Sequence, residues 1–269
     1  MLHINQYRQD SFLRLAFGTG SHPGTARKNN ANEDSVFALQ SVQRCRTDQQ
    51  TFGLFMVADG MGSHVQDEMA SNLALRVMSS NIVPPLLGNA ELGRDALLEL
   101  LVAGVQRANE AIYRHNKQEH VTTGSTLTVA LVVGNIMYVA NVGDSRIYLY
   151  REPQGLRQVT RDHSVVVRLD ERSIITSREI YPLSKGNQMV RYLGRKSTVE
   201  VDPFTVSLRI DDKLLLCSDG LWETVRDQDI QQVMSDPEAE PLKTAEKLIK
   251  AALKGSGRDN VSVIAVFMY

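Results

Sequence analysis

Phe55-Met56-Val57-Ala58-Asp59-Gly60-Met61-Gly62-Ser63-His64 is an apolar run that stops on a carboxylate. The run reads as the end of a strand buried on both faces. Asp59-Gly60 breaks it, a Met-Gly-Ser-His loop follows, and a long amphipathic segment begins just beyond. A carboxylate held at a strand end, beside glycine and near a histidine, suits a hard metal ion next to a phosphate. Alone it settles nothing, because Asp-Gly is also a common turn.

Upstream, residues 12–18 alternate as a half-buried strand, and Gly18 to Asn32 is rich enough in Gly, Pro, Asn and Ser to read as a loop. Ser35–Val42 and Thr51–Ala58 are the next two strands. Downstream, Val65 to Val83 has helical periodicity, with Val65, Met69, Leu73 and Val77 in one row and Ala70, Ala74 and Met78 in the adjacent one. Pro84-Pro85 is expected to stop that helix. A second helix spans roughly Ala90 to Lys117, with Leu97, Leu101, Val105, Ala108 and Ile112 along its core-facing stripe.

From Ser125 the period changes to two. Thr126–Val133, the hairpin dipeptide Gly134-Asn135, Ile136–Asn141, Arg146–Arg151 and Leu156–Thr160 predict an antiparallel meander, since the gaps are too short for helical crossovers. Asp162 to Ser184 is polar and punctuated, a surface flap with a capping box at Thr176-Ser177-Arg178-Glu179. Val199–Arg209 and Lys213–Cys217 are strands, Asp227–Met234 and Leu242–Leu253 helices, with Gly255 as a stop, and Val261–Phe267 is a final strand. Strand clusters with long helices between them predict one α+β domain, two packed antiparallel sheets covered by helices.

The chain has 269 residues, 42% hydrophobic and 23% charged, which supports a sizeable core. A formal net charge of -1 provides no basic field to recruit nucleic acid or anionic membrane. The two cysteines, Cys45 and Cys217, can build neither a disulfide framework nor a zinc site, and they fit a reducing cytosol. Met1–Gln6 has no signal-peptide pattern, and no apolar run approaches the roughly 18–20 residues that span a bilayer.

Four acidic positions share one context: Asp34 after Asn32-Glu33, Asp59 before Gly60, Asp219 before Gly220 and Asp259 before Asn260. Each lies at the edge of an apolar run, and Asp144, after Gly143, is a fifth. Strand ends from distant sequence converge on one rim of a sandwich. Carboxylates gathered there repel one another unless a cation neutralises them. An all-oxygen set with few histidines selects Mg²⁺ or Mn²⁺ over zinc or copper. Taken singly, each is a turn residue or cap, as Asp211, Asp212, Asp227 and Asp229 are read.

These residues fall in a longer ordered set: Gly24-x-x-Arg27, Asn32-Glu33-Asp34-Ser35, Val57-Ala58-Asp59-Gly60-Met61-Gly62, Gly124-Ser125-Thr126, Asn141-Val142-Gly143-Asp144-Ser145-Arg146, Thr160-Arg161-Asp162-His163-Ser164, Arg191-Tyr192-Leu193-Gly194, Leu216-Cys217-Ser218-Asp219-Gly220-Leu221 and Asp259-Asn260-Val261-Ser262. In this the chain resembles the metal-dependent Ser/Thr protein phosphatases of type 2C, in their compact bacterial form, from about Leu15 to Phe267. The resemblance implies an α-β-β-α sandwich with a two-metal centre on its rim, holding Mn²⁺ or Mg²⁺, and a third, weaker ion. It implies that Asp59 bridges both ions and that the Gly60 carbonyl joins one. Asp219 and Asp259 would hold one metal, and Asp34, with Glu33 beside it, would anchor the other directly or through water. Asp144 would help hold the third, Arg27 would grip the phosphate, and His64 would be the general acid.

The chain departs from the family pattern in places. Arg27 stands seven residues before Asp34 rather than five, Ser63 and Asp67 replace glycines, and Tyr181-Pro182 replaces His-Pro, with Ser184 near it. His163 is read as a structural hydrogen-bonder, His3, His22, His115 and His120 as surface residues, and Trp222 as packed core near the rim. Three functions stay open: a phosphoserine/phosphothreonine protein phosphatase, a weakly active phosphoprotein sensor or scaffold of the same fold, and a small-metabolite phosphatase. The first is expected as a cytoplasmic monomer acting on substrates of a partner kinase, with no nucleic-acid or membrane partner.

Overall fold

The computed structural model describes residues 13–27, 31–45, 48–62, 67–88, 92–164 and 189–269. Along the chain run β1 (Leu15–His22), β2 (Asp34–Cys45), β3 (Asp48–Met61), α1 (Asp67–Leu87), α2 (Arg94–Glu119), β4 (Gly124–Ser125), β5 (Leu127–Val133), β6 (Ile136–Val142), β7 (Arg146–Arg151) and β8 (Gly155–Gln158). They are followed by β9 (Asp202–Ser207), β10 (Lys213–Cys217), α3 (Asp219–Trp222), α4 (Asp227–Ser235), α5 (Pro241–Gly255) and β11 (Val261–Met268). One sheet has the order β1-β11-β10-β7-β8 and the other β2-β3-β5-β6-β9, with β4 added to β3. The pairs between these strands are antiparallel.

Side chains alternate across a strand, so a strand buried on both faces feeds two cores at once. On β3, Leu54 and Met56 face α1 and α2, while Phe55 and Val57 face the other sheet. On β11, Ile264 and Val266 face the inter-sheet layer, and Val263 and Ala265 face α4 and α5. Three apolar layers result, and the order is helix, sheet, sheet, helix.

Several boundaries depart from the sequence reading for physical reasons. The loop expected from Gly18 is strand as far as His22. Gly18 and Gly20 are there because α5 lies against them: a Cβ at Gly18 would sit 2.2 Å from the Leu242 nitrogen, and one at Gly20 would sit 2.4 Å from Ile249 Cδ1. Pro84 and Pro85 fall inside α1, which runs on to Leu87 rather than stopping. In α1 the Ala70, Ala74 and Met78 row is fully buried, joined by Ile82, while Met69, Leu73 and Val77 flank it. The α2 stripe is buried as expected.

The expected meander is two hairpins in different sheets. Gly134 takes φ 58 between β5 and β6, which pair in one sheet. The chain then crosses at Gly143-Asp144-Ser145, and β7 and β8 pair in the other. Gly143 has φ 111, and a Cβ there would meet Thr126 Cγ2 at 2.6 Å, so glycine is required at the crossing. The strand expected over Val199–Arg209 is confined to β9, and Asp219-Gly220 opens the short helix α3. α5 includes Gly255, and the left-handed glycine beyond it is Gly257, φ 56. The central part of the expected flap, with Tyr181, Ser184 and the capping box, lies outside the described residues, as do His3 and Val65.

Candidate metal centre

At one end of the sandwich the inward-facing rows change character. The row Phe55-Val57 continues to Asp59, Ala38-Val36 to Asp34, Leu214-Leu216 to Ser218, Val266-Ile264 to Ser262 and then Asn260, Val132-Ala130 to Thr128 and Thr126, Met137-Val139 to Asn141, and Leu149-Ile147 to Ser145. The same alternation that fills the inter-sheet core therefore delivers carboxylates, hydroxyls and amides to one rim.

These polar groups are tied to one another. Ser218 Oγ donates to Asp34 Oδ2 (2.7 Å) and accepts from the Ser262 N–H (3.0 Å). The Asp59 N–H donates to Thr126 Oγ1 (2.9 Å), which shares a 2.8 Å hydrogen bond with Ser145 Oγ. Asn260 accepts from the Glu33 N–H (2.8 Å) and donates to the Pro23 carbonyl (3.0 Å), and the Gly60 N–H donates to the Glu33 carbonyl (3.1 Å). Gly220 permits this closeness, since a Cβ there would lie 1.9 Å from the Asn260 carbonyl oxygen.

Asp34 and Asp59 are paired directly across β2 and β3, a cross-strand arrangement that is unfavourable for like charges. Burial pushes the Asp59 carboxyl well above its ordinary range, and the charges of Asp34, Asp219, Asp144 and Asp259 add to it. Asp219 is raised in the same way by burial, then by Asp144 and Asp259. Asp34 is raised by burial to about 6, with the Ser218 and Ser262 donors pulling it back. Asp144 is raised to about 7 by burial and by Asp162.

Asp34 Oδ1, Asp144 Oδ1 and Asp219 Oδ1 are buried with no hydrogen-bond partner among the described residues. Buried acceptors are normally satisfied, so three such carboxyl oxygens fit an all-oxygen site for a hard divalent cation. No three His, Cys, Asp or Glu side chains among the described residues yet close on a single point.

Arg27 lies at the same rim. Its Nη1 meets Glu33 Oε2 at 2.7 Å and Asp259 Oδ1 at 3.2 Å, so the longer spacing to Asp34 still delivers the guanidinium to the carboxylates. The structure thus gathers Asp34, Asp59, Asp144, Asp219, Asp259 and Arg27. His64, and the side chain of Asp67, lie outside the described residues. His163 is a structural hydrogen-bonder: Nδ1 accepts from the Gly143 N–H (3.0 Å) and Nε2 meets Asp202 (2.9 Å). Burial holds its imidazole below the ordinary value, consistent with a neutral ring that accepts at Nδ1.

Sequence reading missed the hydroxyl and amide layer of Ser218, Ser262, Thr126, Thr128, Asn141 and Ser145. The signal was present as polar residues continuing inward-facing apolar rows. Asp212 closes the turn from Arg209, as read, with its N–H on the Arg209 carbonyl (3.3 Å), and it is also buried in a forked pair with Arg151 (2.7 and 2.5 Å), which the sequence did not announce. His115, read as a surface residue, is half-buried, with Nε2 enclosed.

The model of the protein phosphatase 2C family matches residues 20–261. The chain belongs to that family. It is 35% identical over 94% of its length to the serine/threonine protein phosphatase PstP of Mycobacterium tuberculosis, of which it spans about half, 45%. It is 32% identical to the serine/threonine phosphatase stp of Listeria monocytogenes over 90% of this chain and 92% of that one. The crystal structure of the PstP catalytic domain in complex with two manganese ions superposes with a TM-score of 0.76 at 33% identity, covering 95% of this chain and 99% of that one. The Streptococcus agalactiae serine/threonine phosphatase gives 0.81 at 25% identity, covering 94% and 99%. This is a protein phosphatase 2C domain, with the two antiparallel sheets and flanking helices of its relatives. Among the described residues no helix is long and apolar enough to cross a membrane.

Proposed function

We propose that this domain is a metal-dependent phosphatase of phosphoserine and phosphothreonine in proteins, and that residues 1–269 work as one unit with a flap over about 162–190. The observation that carries the reading is the convergence of Asp34, Asp144, Asp219 and Asp259 on Asp59, with three of the five holding a buried oxygen that has no partner among the described residues. When bound, Mn²⁺ or Mg²⁺ supplies an acidified water as nucleophile near neutral pH and neutralises charge on the phosphoryl oxygens.

In this reading Asp59 and the Gly60 carbonyl, with Asp219 and Asp259, and Asp34 with Glu33 beside it, would hold the two ions, and Asp144 would help hold a third, weaker one. Arg27 grips the phosphate. Among the described residues both of its ion pairs use Nη1, and a guanidinium carries five N–H donors, so in this reading Nε and Nη2 would serve the phosphoryl oxygens. His64 protonates the departing alkoxide. The substrates are phosphorylated by a partner kinase, and the domain acts as a cytoplasmic monomer in signalling, without nucleic acid or membrane.

The test is phosphate release from a phosphothreonine peptide and from an aryl phosphate, each with Mn²⁺ and then with chelator. Metal-dependent release from the peptide is expected. No release with any divalent metal would overturn the reading in favour of a binding module, and release from small metabolites but not from peptides would overturn the substrate class. His64→Ala should slow alkyl phosphates more than aryl phosphates, whose leaving groups need less protonation; equal losses would remove His64 from the acid role.

A further inference from the structure

The turn that carries Asp144 is held on every side. The Gly143 N–H donates to His163 Nδ1 (3.0 Å), and the Gly143 carbonyl accepts from the His163 N–H (3.0 Å). Ser145 Oγ is bonded to Thr126 Oγ1, and the Ser145 carbonyl accepts from Thr128 Oγ1 (3.0 Å). Between them, the Asp144 carbonyl accepts from Trp222 Nε1–H at 3.0 Å. What this clamp leaves over is the side chain of Asp144, a residue only 6% exposed, with Oδ1 unpartnered among the described residues.

Trp222 is itself braced. The Arg146 guanidinium lies 3.7 Å from the centre of its ring. Arg146 is fixed in turn by a fork on Asp162, Nε to Oδ1 at 3.0 Å and Nη2 to Oδ2 at 2.6 Å, and by Nη1 donating to Tyr148 Oη at 2.7 Å. Tyr148 Oη donates to Asp227 (3.1 Å), and Gln158 Nε2 donates to Asp162 (2.7 Å). A planar guanidinium stacked on an indole fixes the ring face, and the buried fork fixes the guanidinium. The indole N–H therefore has one direction open to it, toward the Asp144 main chain.

We propose that Trp222, braced by Arg146, is a positioning residue that pins the Asp144 main chain and so holds its unpartnered carboxylate oxygen in place for a divalent cation. The inference rests on the assignment of Asp144 as a cation ligand made above. It assigns Trp222 a role beyond packing: phenylalanine would keep an apolar ring under Arg146, but it has no N–H with which to hold the turn.

Trp222 is the only tryptophan in the chain, so its indole N–H gives a single resonance in a ¹H–¹⁵N spectrum. The full chain is titrated with Mn²⁺, free ion being followed by paramagnetic resonance, and in parallel with diamagnetic Mg²⁺, the indole resonance being followed. Wild type should bind in a tighter and a weaker phase, with the indole resonance moving in the weaker one. Asp144→Asn should lose the weaker phase and that movement. Trp222→Phe should keep the tighter phase and weaken the other about three- to tenfold, the effect of one buried hydrogen bond. Unaltered binding in Trp222→Phe, or an indole resonance that stays still through the weaker phase of wild type, overturns the inference and leaves the ligand assignment standing. Absence of a weaker phase in wild type, or its survival in Asp144→Asn, overturns the assignment itself. Should Trp222→Phe fail to fold, the resonance of the unaltered chain decides.

Discussion

Removing the charge of Asp144 should strengthen the metal-free fold while weakening the loaded one. Burial pushes this carboxyl from 3.8 to about 7; Asp162 and Glu223 add to the effect, and Arg146 opposes it. The folded chain thus holds the proton more tightly than the unfolded chain does. Stability is full below about pH 4, where both states are protonated, and is lost as pH rises through about 7. Roughly three pH units at about 1.4 kcal/mol each give about 4 kcal/mol of strain at pH 8. Asparagine removes that contribution, but its amide occupies a site where Oδ1 has no partner among the described residues. An unpaired buried amide costs about 1–3 kcal/mol, so the net gain for Asp144→Asn is about 1–3 kcal/mol. The assay is urea denaturation at pH 8 and pH 5 with chelator, then at pH 8 with Mn²⁺. The variant should be the more stable at pH 8 without metal, should lose its advantage at pH 5, and should be the less stable with Mn²⁺ bound. A variant no more stable than wild type at pH 8 in chelator would refute the argument that the rim is held under charge strain.

Asp59→Asn should lower kcat by about 100-fold or more while the circular dichroism spectrum stays native; retained turnover would remove Asp59 from the centre of the site. Ser218→Ala strips a donor from Asp34 and an acceptor from the Ser262 N–H, so a loss of about 2–4 kcal/mol in denaturant melts is expected, and less than about 1 kcal/mol would show that water replaces both bonds. Gly220→Ala sets a methyl 1.9 Å from the Asn260 oxygen and must push the Asp259 segment away from Asp219. It should cost about 1–3 kcal/mol and weaken Mn²⁺ binding; an unchanged melt and titration would mean the backbone yields freely there.

The layers of the fold were legible because strands buried on both faces and amphipathic helices leave periods of two and 3.6 in the sequence. What was not legible came from contacts made by distant segments. Gly20 reads as a loop residue and Gly18 as the junction of strand and loop, yet both sit in β1 to let α5 approach, and nothing local announces a helix more than two hundred residues away. The change of sheet at Gly143-Asp144-Ser145 looks like a tight turn from either side. Only the packing of Gly143 on Thr126 shows that the chain leaves one sheet for the other.

The acidic cluster was legible as five aspartates in similar contexts, but its environment was not. An aspartate on its own gives no sign of whether its neighbours will satisfy it. The decisive property emerges only when Asp34 lies opposite Asp59, Ser218 occupies one Asp34 oxygen and the other has no donor among the described residues. The hydroxyl and amide layer beneath then becomes intelligible. It bonds the backbone at Asp59, Ser145 and Ser262, so these strand ends are tied down beneath the carboxylates. A rim built this way is poor at stabilising the empty fold and well suited to an ion, because the groups that strain the empty chain are the ones a divalent cation would satisfy.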